Sequence, residues 1–273
     1  MKLEGVSDIV PLVAEARRQG TGLVIATLVG NSTDLDFPLG IRMAIAANTE
    51  VKGGFSSVLD PLVVEDAGDA LKQRRSVCRS YDCNQDRAWR VRPGSGHIDV
   101  FYQVLARPLQ LVIVGAGHIA LPLSRIAAIH DLRVTVIDDR AEFATRERFP
   151  DAETIVVGPY TQSLSQIEMD NDTFVVLVTR GHVHDQACLE LLINSSAHYI
   201  GMIGSKRRVR TVLDHLKDEG YDPLRLESVY APIGLAIGAE TPAEIATAIL
   251  AEIIAIIHGV PSVQWRARGA PYD

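Results

Sequence analysis

Residues 6–18 place Val6, Ile9, Val10, Val13 and Ala16 at helical spacing, and Gly20 and Gly22 end that run. The apolar stretch Leu23–Val29 is rich in β-formers and reads as a strand. Ile41–Ala47 reads as another, with Asn48-Thr49-Glu50 turning the chain into a third extended segment. Leu59–Leu71 returns to helical spacing through Leu62, Val63, Ala67 and Leu71, and Ile98–Leu105 alternates as a strand. These elements predict a small α+β domain over residues 1–106. Pro108 cannot continue a sheet ladder, so Ala106-Arg107-Pro108 reads as a hinge.

Beyond the hinge the rhythm becomes strand, helix, strand. Strands are predicted over Leu111–Val114, Arg133–Ile137, Thr154–Val157, Phe174–Val178 and Tyr199–Ile203. Helices are predicted over Ile119–Ile129, Asp185–Asn194 and Ser205–Lys217, with a last one opened by Pro242 and continuing through the apolar stretch Ala243–Val260. Strands separated by helix-length segments mean βαβ units and a parallel sheet. The predicted class is α/β, with a Rossmann-type domain over residues 107–260, the smaller α+β domain before it, and a polar tail over 261–273.

Composition narrows the function classes. Hydrophobic residues make up 47% and charged residues 22%, enough apolar mass for a core. The net charge of −7 lies wholly in the second part: 13 basic and 13 acidic residues run to Arg107, against 14 and 21 beyond it. A nucleic-acid partner is therefore not expected. Cys78, Cys83 and Cys188 are too few for a disulfide framework and fit a reducing cytosol. Met1 to Asp8 carries Lys2, Glu4 and Asp8 with no apolar core of a leader, and Ala243–Val260 is interrupted by Glu244 and Glu252, so neither secretion nor a membrane span is expected.

The strand Leu111–Val114 runs straight into Gly115-Ala116-Gly117-His118-Ile119-Ala120, a G-x-G-x-x-A pattern that opens a helix. The first glycine makes the turn, the second admits a phosphate to the backbone, and the small Ala120 lets helix pack on strand. Asp138 ends the next strand, 23 residues after Gly115, close to the spacing of a ribose-binding acid. The ligand is then a dinucleotide such as NAD(P) or another phosphate-bearing molecule, since exposed N–H groups at a helix start serve either. Arg140 is placed to meet a 2′-phosphate or to be solvated.

Two further strand ends carry chemistry. Thr179-Arg180-Gly181-His182-Val183-His184-Asp185 follows one, and its Arg, two His and Asp suggest a site for an anion or a metal-oxo group. In an extended loop His182 and His184 point the same way; the alternative is exposed histidines with Asp185 capping the helix. No third ligand for a metal ion is identifiable. Gly204-Ser205-Lys206-Arg207-Arg208 follows the other. Gly204 permits close backbone approach, Ser205 can cap, and the basic first turn opposes the helix dipole unless an anion binds or the charges are solvated. Near the end, Ala231-Pro232-Ile233-Gly234-Leu235-Ala236-Ile237-Gly238-Ala239 is an apolar loop with two glycines, and Thr241 with Glu244 makes a capping box.

The blocks GAGHIA, DDRAEFATRERFPDA, TRGHVHDQACL, YIGMIGSKRR and APIGLAIGAETPAEIATAILAE, in that order over 108–258, resemble the XdhC/CoxI family. The resemblance implies a cytoplasmic, often oligomeric accessory factor of xanthine dehydrogenase-type molybdenum hydroxylases. Such a factor holds molybdenum cofactor (molybdopterin) during sulfuration by a cysteine desulfurase and passes it to the apo-enzyme, acting more as a carrier than a catalyst. Gly115 and Gly117 would then take the phosphate, and Arg180, His182, His184 and Lys206 would screen the anionic head; His118, Ala120, Asp138, Arg140, Asp185, Gly204 and Ser205 complete the expected cofactor-binding set. The family's GS-x-PR, GGC-x-E and CGG stretches correspond here to Gly30-Asn31-Ser32-Thr33, Ser56-Ser57-Val58-Leu59-Asp60 and Gly94-Ser95-Gly96-His97. Both cysteines and the arginine of those stretches are absent, so if the family's thiols grip molybdenum or handle sulfur, this chain is not expected to do so in the same way. The rival reading is an NAD(P)-dependent oxidoreductase or a nucleotide-sensing Rossmann protein.

Overall fold

The computed structural model describes residue 3 and residues 5–32, 38–48, 50–84, 86–94 and 97–260, with the side chains of Val6, His182 and Val183 outside the description. The tail 261–273 lies outside the described residues. The chain divides into two compact units, Met1–Arg107 and Pro108–Asp273.

The first unit is a six-stranded antiparallel sheet carrying two helices. In chain order it holds α1 (Val6–Gln19), β1 (Leu23–Asn31), β2 (Arg42–Ala46), β3 (Val51–Gly53), α2 (Asp60–Lys72), β4 (Val77–Cys83), β5 (Ala88–Val91) and β6 (Ile98–Leu105). The strands lie in the order β3-β2-β1-β6-β4-β5. Period-two alternation sorts β1 between two cores. Leu23 and Ile25 join Ala16 of α1, whereas Val24, Ala26 and Leu28 join Val63, Ala67 and Ala70 of α2. β4 and β5 escape the hydrophobic pattern, because arginine and aspartate alternate with the few buried residues and β5 has no fully buried residue. Their polar side chains are spent on a buried cluster in which Asp66 of α2 takes Arg90 Nε at 3.0 Å and the Tyr81 hydroxyl.

The second unit alternates strand and helix. It holds β7 (Gln110–Val114), α3 (Ala120–Ile129), β8 (Arg133–Asp138), β9 (Thr154–Val157), α4 (Tyr160–Leu164) and β10 (Thr173–Leu177), followed by α5 (His182–Leu192), β11 (Tyr199–Met202), α6 (Lys206–Asp218), α7 (Pro223–Glu227) and α8 (Pro242–Ile257). The sheet is parallel, in the order β11-β10-β7-β8-β9. Odd-numbered residues of β7 (Leu111, Ile113) pack with α3 and α8, and even-numbered ones (Val112, Val114) with α4, α5 and α6. A strand covered on both faces reads as a continuous apolar run, as LVIV does.

Most predicted elements appear within a residue or two of their expected ends. α8 ends at Ile257, three residues before Val260, and one start differs as well. α5 begins at His182 with Gly181 as its N-cap, three residues earlier than expected, so the segment 182–184 is helical and not an extended loop. The extended loop on which a shared orientation of His182 and His184 depends is therefore absent, and the side chain of His182 lies outside the described residues. Among the described residues no helix is long and apolar enough to cross a membrane.

Candidate functional site

The chain leaves β7 for β8 on one side and returns to β10 on the other, so the strand order reverses between β7 and β10. Val114, Ile137 and Leu177 are in register, which brings the segments after these strands to one level at the carboxyl edge. That is where open parallel sheets bind ligands.

Gly115 has φ +108°, and a Cβ there would lie 2.5 Å from the Val178 carbonyl oxygen, so only glycine fits against the chain leaving β10. Its N–H donates to Ile137 O at 2.7 Å. Gly117 differs: an added Cβ would meet nothing within 4 Å. His118 is exposed, Ala120 is fully buried against the sheet, and the N–H groups of Gly117 and His118 take no part in the hydrogen bonds formed among the described residues. The turn therefore presents open backbone at the start of α3, the arrangement an anion uses.

Asp138 is wholly buried. Its Oδ2 accepts from Ala116 N at 2.6 Å and Arg140 Nη2 at 3.0 Å; its Oδ1 accepts from Arg140 N at 3.0 Å and Arg140 Nε at 2.8 Å. Burial pushes this carboxyl up, but the Arg140 guanidinium and the two backbone N–H groups outweigh it and hold the group down at about 2. The expected ribose acid is thus spent on the glycine turn itself. Arg140 is neither solvated nor free for a 2′-phosphate: its side chain is 18% exposed, and it stacks 3.6 Å above the Phe143 ring centroid.

Arg180, half exposed, pairs with Asp139 at 2.9 Å and 3.0 Å across from the end of β8. His184 is exposed in the first turn of α5, with its ring edge-on to Tyr160 at 5.2 Å. Tyr160 gives no signal in the sequence, since its helix is short and carries no motif. Its hydroxyl is buried beside Asp139 and Arg180 without a well-directed hydrogen bond among the described residues. Burial, and then the Asp138 and Asp139 carboxylates, push it up to about 12. It is a neutral donor on the wall of this crevice.

Asp185 is not the N-cap of α5. It is buried, accepts from the Thr179 hydroxyl and is ion-paired with Arg208 of α6. Burial pushes its carboxyl up, against the opposing effect of Thr179 and Arg208. Cys188, one turn on, is driven up to about 12 by burial and by Asp185, which leaves it a core thiol. Ser205 caps α6 as expected, its Oγ accepting from Arg208 N at 3.3 Å. Gly204 is not sterically required, since a Cβ there would make ordinary contacts from 3.4 Å. Lys206 lines a different recess, alongside residues 225–239. The structure therefore places Gly117, His118, Tyr160, Arg180 and His184 on the segments that follow β7, β9 and β10 at the carboxyl edge of the sheet, turns Asp138, Arg140 and Asp185 inward as supports, and leaves Lys206 apart.

A family model described as XdhC Rossmann domain matches residues 111–253, more than half of the chain. A protein of Bacillus subtilis (strain 168), described as a probable xanthine dehydrogenase subunit, is 33% identical over 156 residues, covering 57% of this chain and 45% of that protein. Uncharacterized protein YqeB of Escherichia coli (strain K12) is 28% identical over 225 residues, covering 81% of this chain and 41% of that protein. The chain thus spans less than half the length of these relatives. A crystal structure of a xanthine dehydrogenase from Bacillus halodurans superposes with a TM-score of 0.55 at 20% identity, covering 93% of this chain and 97% of that one, which is a likeness of fold.

Proposed function

The chain belongs to the family of the XdhC Rossmann domain, and from that premise we propose that it is an accessory factor for a xanthine dehydrogenase-type molybdenum hydroxylase. In this reading it holds molybdenum cofactor in the crevice after β7 and β10 and delivers it to the apo-enzyme. Molybdopterin supplies a phosphate and an anionic molybdenum-oxo-dithiolene head. The open backbone at Gly117 and His118 suits the phosphate, and Arg180, His184 and the Tyr160 hydroxyl suit the head as charge-assisted and neutral donors. Sulfur would come from a separate cysteine desulfurase. The one thiol in this domain, Cys188, is buried and held in the protonated form, so in this reading the domain acts as a holder and not as a sulfur carrier.

One observation carries this reading over a nicotinamide one. A dinucleotide ribose needs a free acceptor at the end of β8, and both oxygens of Asp138 already take two donors each from the protein itself. Ligand extraction tests the proposal. The protein purified from a molybdenum-replete host should release a pterin together with molybdenum, detected by mass spectrometry and metal analysis. Arg180→Ala should lower both about tenfold, in line with one charge-assisted contact of about 1.5 kcal/mol. Recovery of NAD(P) with no pterin would overturn the reading.

A further inference from the structure

The ion pair of Arg180 with Asp139 has a particular place in the sheet. β8 and β10 lie on either side of β7, with Ile137, Val114 and Leu177 in register. Asp139 stands two residues beyond Ile137 and Arg180 three beyond Leu177, so the pair joins the two flanking segments across the point where β7 turns at Gly115. Gly115 meets both flanks: its N–H donates to Ile137 O, and a Cβ on it would strike the Val178 carbonyl. Strands two places apart in a sheet are separated by roughly 9–10 Å, a gap that an arginine and an aspartate fill together.

The pair is built to exchange. Arg180 Nη2 alone serves the two carboxylate oxygens, at 2.9 Å and 3.0 Å, while Nε and Nη1 make no hydrogen bond among the described residues. Two nitrogens facing two oxygens, the fork arrangement, is the stronger form. The Arg180 side chain is 50% exposed and that of Asp139 31%, so both are within reach of a ligand. Asp139 also has a second cation nearby, Arg140 Nε at 3.8 Å, so losing Arg180 does not leave its carboxylate without one. Beside the pair sits the Tyr160 hydroxyl, on a residue only 3% exposed and without a well-directed hydrogen bond among the described residues. A buried hydroxyl in that state lacks an acceptor, which a ligand oxygen can supply.

We propose that Asp139 is a built-in competitor for Arg180, which sets how tightly this site holds an oxyanion and how readily it lets one go. With the pair closed, Arg180 is occupied. An incoming oxyanion such as a phosphate takes the guanidinium in fork geometry, Asp139 turns to Arg140, and the Tyr160 hydroxyl gains its acceptor. Return of Asp139 to Arg180 favours release, which suits a protein that hands its ligand on. The inference rests on the reading of this site as an anion holder. Apparent affinity falls by the fraction of molecules in the open state, and a partly exposed pair favours its closed form by up to about fivefold.

The test titrates the full chain with inorganic pyrophosphate at low ionic strength, by calorimetry. Asp139→Asn removes the competitor and should bind about fivefold more tightly than wild type. Loss of a negative charge alone would give a gain that does not depend on the pair. The same substitution is therefore made in an Arg180→Ala chain, where no gain is expected. Asp139→Ala repeats both comparisons if the asparagine variant fails to fold. Equal or weaker binding by Asp139→Asn overturns the proposal, as does the same gain in both backgrounds. If Asp139→Asn gains nothing while Arg180→Ala loses affinity, the site still holds an anion and only the competitor fails. If no chain binds pyrophosphate at millimolar concentration, the competitor fails as well, and the molybdenum content of the purified protein decides the cofactor reading separately.

Discussion

Two residues of the G-x-G-x-x-A turn do opposite work. Gly115 is demanded by the carbonyl of Val178 and by its positive φ, whereas Gly117 is demanded by nothing within the chain and faces open space. The spacing of Asp138 from Gly115 identified the right residue, but its partners came from the fold. Asp138→Asn should cost about 2 kcal/mol at neutral pH. That is below the roughly 3–5 kcal/mol of a fully buried pair, because Arg140 is 18% exposed and keeps Asp139 at 3.8 Å. The pH dependence has a definite sign. The carboxyl is held at about 2 when folded, below its ordinary value near 3.9 when unfolded, so its contribution is complete above pH about 4 and disappears as pH falls toward 2. Urea unfolding at a series of pH values should show a constant gap between wild type and variant from pH 7 to 5. The gap should close in the acid range; one that stays open at the lowest pH contradicts the assignment.

At the scale of elements, α5 and α6 are tied by the buried Asp185–Arg208 pair, which links the segments following β10 and β11. Their pairing was not legible in the sequence: Asp185 stood in a histidine-rich run, as a site residue or a helix cap, and Arg208 in a basic one. Removing Arg208 strands a buried carboxylate, so Arg208→Ala should lose roughly 2 kcal/mol, less than a fully buried pair because the Arg208 side chain is 30% exposed. Adding Asp185→Asn to that variant should recover at least about 1 kcal/mol, because an amide costs less to bury unpaired than a charge. Chemical denaturation of the single and double variants checks this, and a double variant less stable than the single one refutes it. By contrast, the start of α8 was legible in full. Thr241 Oγ1 accepts from Glu244 N at 3.3 Å and Glu244 Oε2 from Thr241 N at 2.9 Å, the reciprocal bonds that the T-x-x-E spacing encodes.

At the scale of the whole molecule, each unit closes its own sheet and its own cores. The cores of β7–β11 contain residues only from Leu109 onward, and those of β1–β6 only residues up to Leu105. A fragment of residues 108–260 should therefore fold alone, with native circular dichroism and a cooperative melt. It should also retain pterin and molybdenum if the crevice is the holding site. A fragment that folds but is empty, beside a loaded full chain, would move the holding site to the first unit.

The sequence by itself determined most of the strands and helices, though not β4, β5, α4 or α7, together with the glycine turn, the α8 cap and the family resemblance. These depend on local periodicity, on backbone angles that only glycine adopts readily, and on hydrogen bonds three or four residues long. Tertiary structure alone decided which polar groups are spent and which stay open. Arg180 meets Asp139 across 41 positions, and Tyr199 meets Glu252 across 53. Such partners are chosen by sheet order, register and close packing, so a local reading cannot tell a saturated Asp138 from an open one, nor find a buried Tyr160.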